Sequence, residues 1–246
     1  MKNSVIFPFA LAGVLAASSA VLADQGKPMR HLVYKVGVTV TSQTEELTSG
    51  QSGDTMSAAS NVATYSAGML SKGTMTADVI GITQDGALAI QISEDTDNRK
   101  APPVRVDVTS DGQLRIPPDQ LVNVREEEQA LLRMLGRNFI SADDVSAGKW
   151  SYQLSQDKAN VHEDYQITGT QPNGDLLIAV NQQVKMGGAQ PSDTTAHGTI
   201  TYSSKYKVPR LVAIDGRTHN EGVQQTQTQD TKVNLELLSD SFQSGS

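Results

Sequence analysis

Period-two alternation of apolar and polar residues is the feature that most constrains this chain. In residues 31–41, Leu32, Tyr34, Val36, Val38 and Val40 take every second position, with Lys35, Gly37, Thr39 and Thr41 between them. A strand points successive side chains to opposite faces, so this segment reads as a half-buried strand with one wet face. Residues 165–184 repeat the pattern around Asn173-Gly174, a pair suited to the positive-φ geometry of a tight hairpin. There Leu176, Ile178, Val180 and Val184 share one face, and Leu177, Ala179, Asn181, Gln183 and Lys185 share the other.

More strands are expected along the chain. Residues 74–83 lead to a turn at Asp85-Gly86, followed by Leu88, Ile90 and Ile92 on one face. The polar cluster 94–100 reads as a loop. Val104, Val106 and Val108 then alternate up to a turn at Asp111-Gly112. Trp150, Tyr152 and Leu154 share a face, and residues 199–207 form a strand that Pro209 bends or breaks, since proline cannot donate to a central ladder. Residues 211–214 should reach a fourth turn at Asp215-Gly216. Residues 222–238 return as a strand, and 239–246 read as a frayed tail.

Two segments break the pattern. Residues 42–73 are polar with scattered apolar positions, which predicts a long mobile loop, with a short helix near 58–69 as one option. Pro117-Pro118-Asp119 is a helix start signal with Asp119 as cap. A helix from there to about Gly136 places Leu121, Val124, Leu131, Leu132, Leu135 and Phe139 within an arc of about 100°. Glu126, Glu127 and Glu128 lie early and Arg133 and Arg137 late, as the helix dipole favours. Glu128 then falls in the apolar stripe, where an unpaired charge is costly and a raised pKa or a specific partner is required. If the helix begins nearer Arg125, Glu128 sits instead in a solvated first turn.

The expected fold is mainly β: an antiparallel meander forming a curved sheet or half-barrel with one central amphipathic helix. Two halves, 24–118 and 141–240, echo each other across the helical segment 119–140. Laid turn on turn, Val79 falls on Ile167, Gly81 on Gly169, Leu88 on Leu176, Ile90 on Ile178 and Ile92 on Val180, while Leu32 and Tyr34 match Trp150 and Tyr152. The second turns of the halves would be Asp111-Gly112 and Asp215-Gly216. Period-two patterning alone also makes any two amphipathic hairpins alike.

The first residues read as an address. Lys2 precedes the apolar run 5–15, and small residues end at Val21-Leu22-Ala23, which predicts a signal peptide over 1–23 cleaved after Ala23. The run is too short to span a bilayer, so residues 24–246 should form one soluble, periplasmic or secreted domain with no membrane span. The chain has no cysteine, so disulfides, thiol catalysis, Cys-ligated zinc and an N-terminal lipidated cysteine are all excluded. Its formal net charge of −7 disfavours nucleic acid and anionic lipid surfaces as partners.

Catalytic and cofactor signatures are absent. His31, His162, His197 and His219 show no metal-ligand spacing; His162 and Asp164 share a strand face that could meet another histidine. The acidic run 94–98 lacks the glycine and distal glutamate of an EF-hand. Ser146 with Lys149 and Ser155 with Lys158 match S-x-x-K, without the companion motifs of penicillin-binding enzymes. No catalytic, cofactor or metal residue is assigned.

The order of strands around one helix resembles the half-barrel of periplasmic lipoprotein carriers of the LolA/LolB type. That resemblance implies a sheet and helix enclosing a greasy groove for acyl chains. The expected function is therefore a non-enzymatic envelope or secreted protein binding lipid or another apolar or extended ligand. The alternatives are a structural component that meets an envelope protein through sheet edges or the 42–73 segment, and a hydrolase with a converging Ser, His and acid.

Overall fold

The computed structural model describes residues 27–48, 61–120, 123–136, 138–156, 159–188, 191–222 and 225–242. The expected signal peptide 1–23 with Ala23, residues 49–60 and the last four residues lie outside them.

Twelve strands form one antiparallel sheet. The first half contributes β1 (Arg30–Thr48), β2 (Asn61–Ile82), β3 (Leu88–Thr96), β4 (Arg99–Lys100), β5 (Val104–Val108) and β6 (Leu114–Arg115). Two helices follow, α1 (Glu126–Met134) and α2 (Ala142–Ala147). The second half contributes β7 (Lys149–Gln156), β8 (Ala159–Thr170), β9 (Leu176–Met186), β10 (Ser192–Ser203), β11 (Val208–Glu221) and β12 (Gln225–Asp240). The strand order is β6-β5-β3-β2-β1-β12-β11-β10-β9-β8-β7, with β4 paired to β3 alone. The sheet is open, as expected of a half-barrel, and β1 and β12 pair at its centre.

Its two faces differ as the alternation requires. Leu32, Tyr34, Val36, Ile90, Ile92, Ile178, Ile200, Val212 and Leu235 are buried on the inner face. The outer face carries solvent-exposed cross-strand ion pairs such as Lys232–Asp215 and Arg217–Asp230. The sheet curls inward. One cavity is lined both by the β5–β6 turn residues Asp111 and Gly112 and by Trp150 and Ser151 of β7, so the two edges approach each other. Gly73 and Gly198 sit where the backbone of a neighbouring strand comes close. A Cβ at Gly198 would stand 2.2 Å from the Ala213 carbonyl oxygen, and one at Gly73 would stand 2.1 Å from that of Asp95. Only glycine lets neighbouring backbone approach so closely.

Three hairpin turns have one geometry. In each, the residue that opens the turn donates to the carbonyl four residues on, and the glycine donates back to it: Thr83 with Ala87 and Gly86, Thr109 with Gln113 and Gly112, Gln171 with Asp175 and Gly174. The glycines have φ of 84–86°. Asp215-Gly216 does not turn. It lies inside β11, where Gly216 pairs with Ala196 on one side and Thr231 on the other; an Asp-Gly pair permits a turn but does not impose one against two paired neighbours. The turn of the second half that pairs with Thr109–Gln113 is Ser203–Val208, where the Lys207 N–H donates to the Ser203 carbonyl. The expected strand over 199–207 therefore ends at Ser203, and Tyr206 is a turn residue. Pro209 lies in β11 at a register shift, a place where a missing N–H costs little.

The pairing registers of the halves coincide. Val79 opposes Ile90 and Ile167 opposes Ile178, and each pair is followed by a bulge before Gly81 or Gly169. Leu88 faces Val108 on β5 as Leu176 faces Tyr202 on β10.

Four further expectations need correction. The mobile loop over 42–73 is mostly strand: β1 runs to Thr48 and β2 begins at Asn61, paired residue for residue. Residues 61–69 are therefore extended rather than helical, and only 49–60 fall outside the described residues. Backbone ladders on both sides of β1 hold this polar stretch without an apolar stripe. The cluster 94–100 is a hairpin of β3 and β4. The tail is not frayed at 239–240, since β12 extends to Asp240, whose carboxylate binds the Arg30 guanidinium through two bonds of 3.0 and 2.6 Å. The central helix does not start at Asp119. It begins at Glu126 and is joined by α2, capped by Ser141, whose hydroxyl accepts the Asp144 N–H while Asp144 accepts the Ser141 N–H.

A candidate binding groove under the central helix

Strand β6 ends at one edge of the sheet and β7 starts at the other, so the chain between them must cross a face. It crosses the inner one. Leu131, Leu132, Met134 and Leu135 bury themselves in the main core, and Phe139 makes edge-on contacts with Trp150 and Tyr165 at 5.9 and 5.4 Å between ring centres. A helix of nine residues is marginal alone, so its placement depends on these contacts and on two ionic anchors.

The first anchor is at the N-terminus of α1. Arg99 on β4 lies 3.2 Å from the Glu94 carboxylate and 3.7 Å from that of Glu128, while Arg125 lies 3.4 Å from Glu94 and 3.6 Å from Glu127. Arg99 also donates to the Asn123 carbonyl. Glu128 accepts the Arg125 backbone N–H at 2.6 Å, half of a capping box. Arginine has no acceptor and cannot supply the other half. Both readings of Glu128 hold in part: the helix starts beside Arg125, yet the residue is 1% exposed rather than solvated. Burial pushes its carboxyl up to about 7, aided by Glu94 and Glu127 and opposed by the cap bond and Arg99. Burial raises Glu127 likewise.

The second anchor is near the C-terminus of α1. Arg133 lies 3.2 Å from Glu163 on β8. Glu163 also accepts from the Tyr165 hydroxyl at 2.7 Å and from the Gln182 amide at 2.6 Å.

Between the anchors, α1 does not fill the inner face of the second half. A groove of about 820 Å³, its open mouth included, runs beneath it. Val180, Ala196, Val212, Ile214, Val233 and Leu235 form its floor, and Ala130 and Met134 its roof. Glu127, Gln129, Arg133, Glu163, Tyr165 and Gln182 supply the polar part of the lining. Arg133, Glu163 and Tyr165 also line the second cavity, of about 650 Å³, beside Trp150 and Tyr152. An apolar trough with a few polar groups suits an amphipathic small molecule in its lining.

The residues weighed for catalysis lie elsewhere. His31, His162, His197 and His219 are on the outer face. His31 pairs with Asp78, His162 with Asp164 and Gln153, and His219 with Thr228 and Glu221. None lines either cavity. Glu94 and Asp95 point to opposite faces, Glu94 to the buried anchor and Asp95 to Lys100. Among the described residues no group of His, Asp and Glu is placed to hold a metal. Ser146 belongs to α2 and Lys149 to β7, and Lys158 lies outside the described residues. Sequence reasoning found Glu128 but missed Glu127, Arg133, Glu163 and Gln182. Glu163 had a signal: it falls between Val161 and Tyr165 on the apolar face of its strand.

No helix among the described residues is long and apolar enough to cross a membrane. No family model and no curated protein matches the chain. Among solved structures, lipovitellin, in a structure titled for its lipid–protein interactions, matches with a TM-score of 0.49 and 11% identity. The match covers 87% of this chain and 25% of that one, so the chain spans a quarter of that protein's length.

Proposed function

We propose that this protein is a non-catalytic binding protein or carrier for an apolar ligand, exported to the cell envelope after cleavage at Ala23. The observation that carries the binding reading is the groove under α1: its floor is made of Val, Ile, Leu and Ala side chains, and its lining also carries a few polar groups, Glu127, Arg133 and Glu163 among them. Burying the chain of a ligand there removes apolar area from water on both partners, at about 25 cal/mol per Å². The curled sheet with a helix across it also supports a LolA/LolB-like mode of carriage, in which an acyl chain lies between helix and sheet.

The test is displacement of a phenylnaphthylamine dye, which fluoresces in apolar surroundings. The dye should bind at one site per chain and be displaced by single-chain amphiphiles. Ala196→Phe places a ring on the groove floor and should abolish binding with the thermal midpoint little changed. Undiminished binding in that variant would remove the groove from the proposal.

A further inference from the structure

Glu127 and Glu163 are the two carboxylates that line the groove. Their situations differ. Glu163 takes donors from Arg133, Tyr165 and Gln182. Glu127 is 7% exposed, and its Oε1 has no hydrogen-bond donor among the described residues, the Arg125 guanidinium standing 3.6 Å away. Behind it the ion cluster is unbalanced once Glu128 ionises, above about pH 7. Glu94, Glu127 and Glu128 face Arg99 and Arg125, three buried acids against two bases. A buried acceptor without a donor and a surplus negative charge are both costly in such a place, and one ligand chemistry relieves both.

We infer that the groove selects amphiphiles carrying a hydrogen-bond-donating cationic head, an alkylammonium, seated against Glu127 with the apolar chain over Val180, Val212 and Leu235. An ammonium supplies the missing donor and balances the cluster. A hydroxyl head supplies the donor but leaves the charge. A carboxylate or phosphate head seated there faces the Glu127 carboxylate and is repelled. The inference rests on the groove binding apolar chains at all.

At pH 8 dodecylamine, dodecanol and dodecanoate should therefore displace the dye in that order, with the amine ahead of the carboxylate by roughly a hundredfold and of the alcohol by roughly tenfold. Glu127→Gln should erase the preference for the amine over the alcohol, and a wild-type circular dichroism spectrum with a cooperative melt shows that the variant is folded. Asp215→Asn removes the same charge from the outer face and should keep the preference, separating the site from general attraction to an acidic protein. Equal binding of dodecanoate and dodecylamine, or an amine preference that survives in Glu127→Gln, would overturn the head-group assignment with the groove intact. Failure of every probe to bind would overturn the groove reading and this one with it.

Discussion

Glu128 makes the stability of this protein fall as pH rises through the neutral range. Its carboxyl is raised from 4.5 to about 7 in the folded state, so between those values the native chain holds a proton that the unfolded chain has lost. Stability falls with pH wherever the native state binds more protons, so the contribution of Glu128 is complete below pH 4.5 and gone once pH passes 7. At 1.36 kcal/mol per unit, the loss between pH 5 and pH 8 is about 2 to 3 kcal/mol, or roughly 5–10 °C in melting temperature for a domain of this size. Glu127 adds in the same direction. The carboxylates that work the other way, Asp85 and Asp230, are held below their usual range and act only at lower pH. Urea unfolding at pH 5 and pH 8 measures the difference. Glu128→Gln keeps an acceptor for the Arg125 N–H and so keeps the cap, but cannot ionise. That variant should lose most of the fall and be the more stable protein at pH 8. A wild type equally stable at both values, or a variant with the full wild-type slope, would refute the buried, protonated Glu128.

Three other outcomes follow from the geometry. Gly198→Ala and Gly73→Ala drive a methyl group into neighbouring backbone and should each destabilise by about 3 kcal/mol or more in urea. Gly37→Ala meets nothing within 4 Å and should be neutral or slightly stabilising. Glu163→Ala strands Arg133, Tyr165 and Gln182 and should cost roughly 3–5 kcal/mol; Tyr165→Phe, which removes one donor, should cost about 1 kcal/mol. A chain ending at Leu238 loses the carboxylate that binds Arg30, and its melting temperature should drop well below that of a chain ending at Phe242.

The strands were readable where one face is greasy and the other wet, because burial then enforces the period. They were unreadable in 42–73 for the converse reason. Side chains such as Ser42, Gln43 and Thr44 carry no apolar stripe, and what fixes them is the ladder to residues 227–229 on β12 and 65–67 on β2. That partnership is a property of the whole sheet, so no local window contains it. Turn chemistry misled at Asp215-Gly216 in the same way: the dipeptide allows positive φ, but two paired neighbours hold it extended. In the helical segment, apolar spacing from Leu121 to Phe139 suggested one long helix, whereas α1 begins only at Glu126, and the Asn123 N–H before it donates to the Gln120 carbonyl.

The site was less legible than the fold because its polar residues are ordinary surface types placed inside. Glu94 sits in an acidic run that reads as solvated, yet its carboxylate faces inward and is fully buried between two arginines. What puts it there is strand parity, which also sends Asp95 out to Lys100. The groove itself follows from topology. A meander that leaves one edge at β6 and resumes at the opposite edge with β7 needs a connection across one face. The outer face is charged, so only a segment bearing Leu131, Leu132 and Leu135 can make the crossing, and only on the inner face. A nine-residue helix covers that face incompletely. The space left over the second half is therefore a consequence of where the chain must cross, and the ions at either end of the helix fix how wide it stays.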